Sequence, residues 1–468
     1  MKNLTPWAKR FVNLDDKTIE ARTRLSPDPV VLPHSISAGM AASTLLCGLE
    51  SIFVATPPGI RVIRRIVDVA ATYSRAVFPE VDPRSFMAQL YDFESVKLAP
   101  RPAICLTGLA GSGKSALLKA VTRLLPDTEC EGHPGQPLPL RSFLYLAVKE
   151  HDTEAAIFNS LRESTARWRD PAHTAHVSLS NEAVRRKRVG SVSGEMPVAQ
   201  RGVFRDGVSA ILLDELQFLA QSGATTRVTK TLLLHTYLGP PLLYAANYDM
   251  VHGLAKRAQQ YRDRLLSNPL VMLPDCLECA DELAGWTEYL GEILRVANGG
   301  LAFDQTKDAE LLHRYSFGLR RKLQLLLSIA YGRARESGKS CAHLGDIDWA
   351  YKSTHYQIHR ADVEELAGIE VGATSRRSDL VCPFEVEERV KAARLRLYRT
   401  RLREETDQRV VVAAMNPLEA KEYASAGGAV GKVGVAPNGR SSGPRVKKPV
   451  SATSLSEGRQ RFKRGRER

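Results

Sequence analysis

The chain has 468 residues, of which 43% are hydrophobic and 25% are charged, a composition that indicates a globular protein rather than a disordered or fibrous one. It has no apolar stretch of membrane-spanning length and no apolar signal segment after Met1, so the sequence predicts a cytoplasmic protein without a membrane partner. The length suits two or three domains, and the formal net charge of +14 favours an anionic partner, nucleic acid before membrane.

The seven cysteines are scattered and odd in number, which suits a reducing compartment. Cys276 and Cys279 have the spacing of a metal-ligand pair. No second such pair or His pair lies near them to complete a tetrahedral site, so we favour two ordinary cysteines over structural zinc.

Residues 1–100 predict a helical lead-in. Between two proline-rich stretches, residues 60–77 have apolar side chains on one stripe at helical spacing. We favour a packing element that completes the core over an independent binding module.

A glycine-rich loop between an apolar run and a helical pattern is the most specific motif of the chain. Its glycines let successive N–H groups face phosphates at the start of a helix. Lys114 can reach the β- and γ-phosphates, and the hydroxyl of Ser115 can bind Mg²⁺. The predicted phosphate-binding residues are Gly108, Leu109, Ala110, Gly111, Ser112, Gly113, Lys114 and Ser115.

Residues 101–280 alternate between strand and helix patterns, which predicts a three-layer α/β domain with a parallel sheet. The predicted strands are 103–107, 142–148, 208–213, 242–246 and 270–273, and the predicted helices are 116–125, 154–166 and 226–237.

Residues 167–205 interrupt this alternation with a basic, glycine-spaced stretch that contains Arg185, Arg186, Lys187 and Arg188. The charge pattern favours equally a flexible loop that closes on phosphates and a solvated surface loop.

Polar residues end two of the predicted strands. Asp214 and Glu215 follow the third strand, where the first carboxylate can hold Mg²⁺ and the second can polarise the attacking water. Asn247 ends the fourth strand, where it can orient that water, although a plain turn residue is the alternative.

Residues 281–360 predict a small helical domain, with helices over 286–297, 319–336 and 344–356. A helical extension follows over 361–420, including an exposed basic helix at 384–405. Residues 421–468 predict a disordered tail, because glycine, serine, proline and basic residues dominate them. Residues 431–468 hold eleven Lys or Arg and two Glu, so they carry 11 − 2 = +9 of the net charge.

Two groups of arginines are candidates for stabilising charge at the γ-phosphate. Arg262 and Arg264 lie on a helical segment before the fifth strand, and Arg320 and Arg321 open a helix of the helical domain. An ordinary surface charge is the alternative for each of them.

The order of these motifs resembles that of the initiator-like group of AAA+ ATPases. Residues 246–254, 264–269 and 330–335, with the segment 346–353, look like the TnsC/TniB transposition regulators. The resemblance implies an AAA+ P-loop domain with a helical lid, ATP and Mg²⁺ as cofactors, Asn247 as a first sensor, Arg264 as a finger that acts on a neighbouring subunit, and Arg321 as a second sensor. Arg262 and Arg320 are the adjacent competitors.

The resemblance also implies a function. It predicts an ATPase that forms a homo-oligomer on double-stranded DNA, links a target selector to a transposase, and disassembles on ATP hydrolysis. A helicase loader or replication initiator shares every nucleotide motif and is the alternative. A nucleotide-gated signalling or scaffold protein is the alternative from another class.

Overall fold

The computed structural model describes residues 5–78, 86, 101–133, 136–150, 152–166, 192–220 and 225–414. The chain divides into two units, Met1–Thr400 and Arg401–Arg468, and the second is described only through Ala414. The predicted disordered tail and the part of the predicted basic loop at 167–191 lie outside the described residues. Within the described ranges, no helix is long and apolar enough to cross a membrane.

The N-terminal part is helical where it is described. Its helices are α1 (Pro6–Lys9), α2 (Asp16–Thr23), α3 (Ala38–Glu50) and α4 (Pro57–Val77). The helix predicted from residue 60 is confirmed and begins one turn earlier, because prolines at the first helical positions need no backbone donor.

The central part alternates strands and helices, as predicted. The elements in chain order are β1 (Ile104–Gly108), α5 (Lys114–Leu124), β2 (Thr128–His133), β3 (Gln136–Leu140), β4 (Phe143–Ala147), α6 (Glu154–Ala166), α7 (Val192–Arg205), β5 (Ala210–Asp214), α8 (Thr225–Thr236), β6 (Leu242–Ala246), α9 (Tyr248–Ala255), α10 (Gln259–Leu265) and β7 (Asn268–Met272).

Five of these strands form one parallel sheet in the order β4-β5-β6-β1-β7. Successive side chains of β1 enter different cores, since Leu106 packs with α4 and α5 whereas Cys105 packs with the cluster of α6, α8 and α9. Both faces are therefore covered, and the predicted three-layer α/β P-loop fold is confirmed. All strands end at the same edge, where the candidate site lies.

Two central elements differ from the sequence prediction. Residues 192–205 form α7 instead of a loop, because Ala199, Val203 and Phe204 are buried, and Gly202 lets α7 approach Thr165 of α6 closely. The hairpin of β2 and β3 was not predicted, since prolines within β3 resemble turn signals.

The part of the chain after β7, which we call the lid, is mainly helical, and the helical part predicted beside the α/β fold is confirmed. Its elements are α11 (Ala280–Ala297), β8 (Leu301–Ala302), α12 (Ala309–Ser316), α13 (Arg320–Glu336), β9 (Ala342–His343), α14 (Leu344–Lys352), α15 (Gln357–Glu370) and α16 (Glu388–Ala414). The helix predicted over 344–356 ends earlier, at Lys352, and a 3₁₀ turn follows.

Two long-range contacts of the lid were not visible in the sequence. The N-terminal helix α3 packs into the lid core, where Leu45 and Leu49 join Leu323 and Leu327 of α13. Arg394 of the predicted exposed helix is buried, because its guanidinium pairs with Glu370 at 2.7 Å.

Candidate functional site

Glycines shape the loop between β1 and α5, two within the loop and one at the end of β1. Gly111 and Gly113 have φ of +82° and +95°, which L side chains rarely adopt. A Cβ atom on Gly108 would lie 2.6 Å from the carbonyl oxygen of Met272. The loop therefore presents its N–H groups at the start of α5, where the helix dipole favours an anion.

A cavity of about 370 Å³ opens beside this loop. Its lining is polar near the ends of β5 and β6 and apolar near the start of α4. The polar part includes Lys114, Ser115, Asp214, Glu215, Asn247 and Arg321, and the apolar part includes Val54, Pro58 and Val62. This arrangement suits a ligand with an anionic end and a flat apolar end.

Lys114 is buried at the floor of the cavity. Its ammonium donates to the carbonyl oxygens of Gly108 and Leu109, both at 2.9 Å. Burial lowers the pKa of Lys114 to about 8; the positive charge of Arg321 adds to this effect, and the carboxylate of Asp214 opposes it. The loop therefore holds a buried cation that an anionic ligand would stabilise.

Asp214 ends β5 as a buried carboxylate with two hydrogen bonds. Its Oδ1 accepts the backbone N–H of Glu215 at 2.9 Å, and its Oδ2 accepts the hydroxyl of Tyr145 at 3.0 Å. Only 2% of Asp214 is exposed. The side chain is thus held in one orientation at the edge of the sheet.

The oxygen donors at this edge fit Mg²⁺ bound together with a nucleotide. Mg²⁺ prefers oxygen ligands and keeps one or two protein ligands beside waters and phosphate oxygens. Ser115 and Asp214 offer such donors in the same cavity. In the part of the chain that the structure describes, no group of three or more His, Cys, Asp or Glu residues could hold a metal by itself.

Glu215 has a conformation that is unusual for a residue with a side chain. Its φ is +59°, in the left-handed region. The amide of Gln217, in the 3₁₀ turn after β5, donates to Oε2 of Glu215. Such a φ at a cavity carboxylate costs free energy and is typical of functional sites.

Asn247 follows β6 directly and occupies the cap position of α9. Its side chain makes no capping hydrogen bond to this helix, and the residue lines the cavity. The backbone of Asn247 is extended and leads from β6 into α9. Its side-chain amide is therefore available to a ligand in the cavity.

Arg320 and Arg321 both line the cavity but have different contacts. Arg320 donates to the carbonyl oxygen of Val54 at 2.7 Å, and its guanidinium lies 4.6 Å from the ring centroid of Tyr289. Arg321 is exposed and packs against the phosphate loop, where a Cβ on Gly111 would lie 3.1 Å from its own Cβ.

Arg262 and Arg264 lie away from this cavity. Both are exposed on α10, and Arg264 donates to the hydroxyl of Tyr237 at 3.3 Å. The carbonyl oxygen of Arg264 accepts the N–H of Ala103, just before β1 begins. The length of β1, about 17 Å at 3.3 Å per residue, therefore separates this carbonyl from the loop of the same chain.

Three site residues escaped the sequence prediction. Tyr145 resembles any aromatic residue of a buried strand, and Gln217 stands in a segment without periodicity. Val54 comes from the N-terminal part, some fifty residues before the loop. Only the position of Gln217, two residues after the predicted catalytic glutamate, was a usable signal.

Cys276 and Cys279 have no metal-site partners among the described residues. Cys276 is buried, and burial raises the pKa of its thiol to about 11. Cys279 precedes α11 at the cap position.

No protein-family model matches the chain, and no curated protein is similar to it by sequence. Solved structures do show similarity. Cdc6p of Pyrobaculum aerophilum is 13% identical over 75% of this chain and 88% of its own, with a TM-score of 0.36. The ORC2 protein of Aeropyrum pernix, in its ADPNP-ADP complexes, is 11% identical over 71% and 93%, with a TM-score of 0.37.

The Holliday junction branch migration motor RuvB of Thermotoga maritima is also similar, with 10% identity over 65% of this chain and 75% of its own, and a TM-score of 0.29. At this level of similarity, the activities of these proteins do not carry over to this chain.

Proposed function

We propose that this chain is a Mg²⁺-dependent ATPase. The observation that carries the proposal is that one cavity brings together the side chains needed for this chemistry. It is lined by a glycine-rich loop, a buried lysine, two carboxylates, an amide and an exposed arginine. In this proposal, the loop and Lys114 hold the phosphates, and the apolar part near Val54 holds the base. Mg²⁺ held by Ser115 and Asp214 would neutralise part of the negative charge of the phosphates.

The remaining groups act on the attacking water and on the phosphate charge. Glu215 accepts a proton from the water, and Asn247 orients that water toward the γ-phosphate. Arg321 stabilises the charge that spreads over the phosphate oxygens in the transition state. Each role matches a side chain that lines the cavity.

The test is ATP hydrolysis by purified protein. Lys114→Ala should abolish nucleotide binding, whereas Glu215→Gln should keep binding and lose hydrolysis by on the order of 100-fold or more. Arg262→Ala, far from the cavity, is the matched control. Wild-type protein that binds ATP without hydrolysing it would contradict the proposal and favour a nucleotide-gated scaffold.

We further propose that the ATPase assembles on double-stranded DNA as a homo-oligomer and regulates transposition. The excess of basic residues supports contact with phosphates, and the resemblance of residues 246–254 and 264–269 supports the biological role. DNA should stimulate hydrolysis, and the stimulation should fade as salt rises. Indifference to DNA would contradict this part alone.

Transposition itself needs a separate test. A cell-based assay in which this chain is supplied or withheld should show transposition only in its presence, together with the transposase and target selector. Equal transposition in both cases would contradict the role. Loading of a helicase by the chain would then favour the initiator or loader alternative.

A further inference from the structure

Tyr145 is the residue that holds Asp214 from the neighbouring strand. It lies on β4, opposite Leu212 of β5, so its side chain is on the same face of the sheet as Asp214, two residues further on. Its hydroxyl donates to Oδ2 of Asp214 at 3.0 Å. The ring packs against the core cluster that includes Leu212. The hydroxyl position is therefore set by the core.

The hydrogen bonds of Asp214 leave room for a further ligand. Each carboxylate oxygen has about two acceptor positions, and one of these is used on Oδ1 and one on Oδ2. The plane of the carboxylate is fixed by two donors, the backbone N–H of Glu215 and the hydroxyl of Tyr145 on the neighbouring strand. Each oxygen keeps an unused acceptor position, and Asp214 lines the cavity, so a cation or its bound water could be held there.

The donor that the chain uses here is neutral. An Arg or Lys in place of Tyr145 would cancel the negative charge of Asp214, whereas a hydroxyl leaves this charge available to a cation. A half-buried aromatic residue also loses little conformational entropy in making the contact, because it has only two rotatable side-chain bonds. The site therefore combines a full charge with a fixed geometry.

We propose that Tyr145 is a positioning residue for the Mg²⁺ of this site, an inference that rests on the proposed Mg²⁺-dependent ATPase. Through Asp214 it sets the affinity for Mg²⁺ in the nucleotide complex without touching the nucleotide. Loss of such outer contacts typically lowers metal affinity or activity by about 10- to 100-fold. We expect about tenfold here, at the lower end of that range, because the bond from Tyr145 is one of two that hold Asp214.

The experiment compares Tyr145→Phe with wild type in two titrations. With a fluorescent ATP analogue in EDTA, the dissociation constant of the variant should stay within about twofold of wild type. In the Mg²⁺ titration, the concentration that gives half-maximal hydrolysis should rise about tenfold, and the rate at saturating Mg²⁺ should recover to near the wild-type value.

Tyr244→Phe is the matched control. It removes a buried tyrosine hydroxyl from β6, where the partner is the carbonyl oxygen of Leu265 at 2.7 Å. Melting temperatures of both variants report on folding. An unchanged Mg²⁺ midpoint for Tyr145→Phe, or an equal loss of affinity in EDTA, would overturn the inference. Wild-type protein without Mg²⁺-dependent hydrolysis would instead overturn the proposed function.

Discussion

Arg321 of the lid lies directly against Gly111 of the phosphate loop, and a Cβ on Gly111 would be 3.1 Å from the Cβ of Arg321. The neighbouring Arg320 is turned toward the carbonyl oxygen of Val54 and the ring of Tyr289. The first arginine thus connects the lid to the loop, and the second connects it to the wall of the cavity. Two adjacent residues of the same type therefore have different expected effects when they are replaced.

We expect Arg321→Ala to lower the rate of ATP hydrolysis by on the order of 100-fold, because a cation near the transferred phosphate is lost. Its melting temperature should stay unchanged, since the side chain is exposed. Arg320→Ala should instead lower the melting temperature by a few degrees, because about 1–2 kcal/mol of hydrogen bonding and cation–π contact is lost. The reverse pattern would contradict this assignment of roles.

Lys114 makes nucleotide binding depend on pH. Burial lowers its pKa to about 8 in the free protein, and bound phosphates favour the charged form. Below this pKa Lys114 is already charged when the nucleotide binds. Above it, Lys114 must take up a proton when the nucleotide binds, which weakens the affinity. Affinity should therefore fall about tenfold between about pH 7 and about pH 9.

The control for this effect is Lys114→Arg, which stays charged over this range and should bind with an affinity that changes little with pH. Fluorescent ATP-analogue titrations in EDTA measure both proteins without the influence of Mg²⁺. Equal pH dependence in the two proteins would assign the effect to another group.

The sequence identified the parts of the site that depend on local pattern. The loop at 108–115, the strand ends at Asp214 and Asn247, and the order of strands and helices all rest on residues close together in the chain. The preference for Arg321 over Arg320 rested on the family resemblance alone, because local pattern does not show how α13 is rotated against the loop.

The remaining parts depend on contacts between distant segments. Tyr145 meets Asp214 only because β4 and β5 are adjacent, and their separation in the chain gives no sign of this. α7 forms because it packs on α6, although its sequence contains Pro197 and follows glycines. Local signals favoured a loop there, and tertiary burial overrides them.

Gln217 restrains the carboxylate of Glu215. Its amide donates to Oε2 and so occupies one of the two oxygens of the proposed general base. We expect Gln217→Leu to raise basal ATP hydrolysis by about two- to fivefold, as the carboxylate becomes free to accept a proton from water. Gln217→Glu, which cannot donate when ionised, should act in the same direction. A lower rate in both variants would indicate that Gln217 positions the water instead.

His235 makes the fold sensitive to acid. It is fully buried, its Nδ1–H donates to the carbonyl of Thr231 at 2.7 Å, and its ring stacks on Phe158. Burial lowers its pKa to about 4, from the usual 6.5. In the unfolded chain His235 is protonated below about pH 6.5, whereas in the folded chain it stays neutral down to about pH 4. The free energy of unfolding therefore decreases as the pH falls through this window.

The loss from His235 should reach about 2 kcal/mol between pH 7 and pH 5. His235→Leu, which does not titrate, should lose correspondingly less over the same interval, even if it is less stable at pH 7. Urea unfolding at the two pH values gives the comparison. An equal loss in both proteins would assign the acid sensitivity to other groups.

Arg264 can serve a nucleotide only on a second copy of the chain, because its backbone is about 17 Å from its own loop, the length of β1. Arg264→Ala and Glu215→Gln should each be nearly inactive alone. In a mixture, some interfaces would join an intact Arg264 to an intact Glu215, so hydrolysis should recover to about a quarter of wild type if subunits mix at random. Arg262→Ala should stay active alone and is the matched control. A mixture as inactive as its components would mean that Arg264 does not act across an interface.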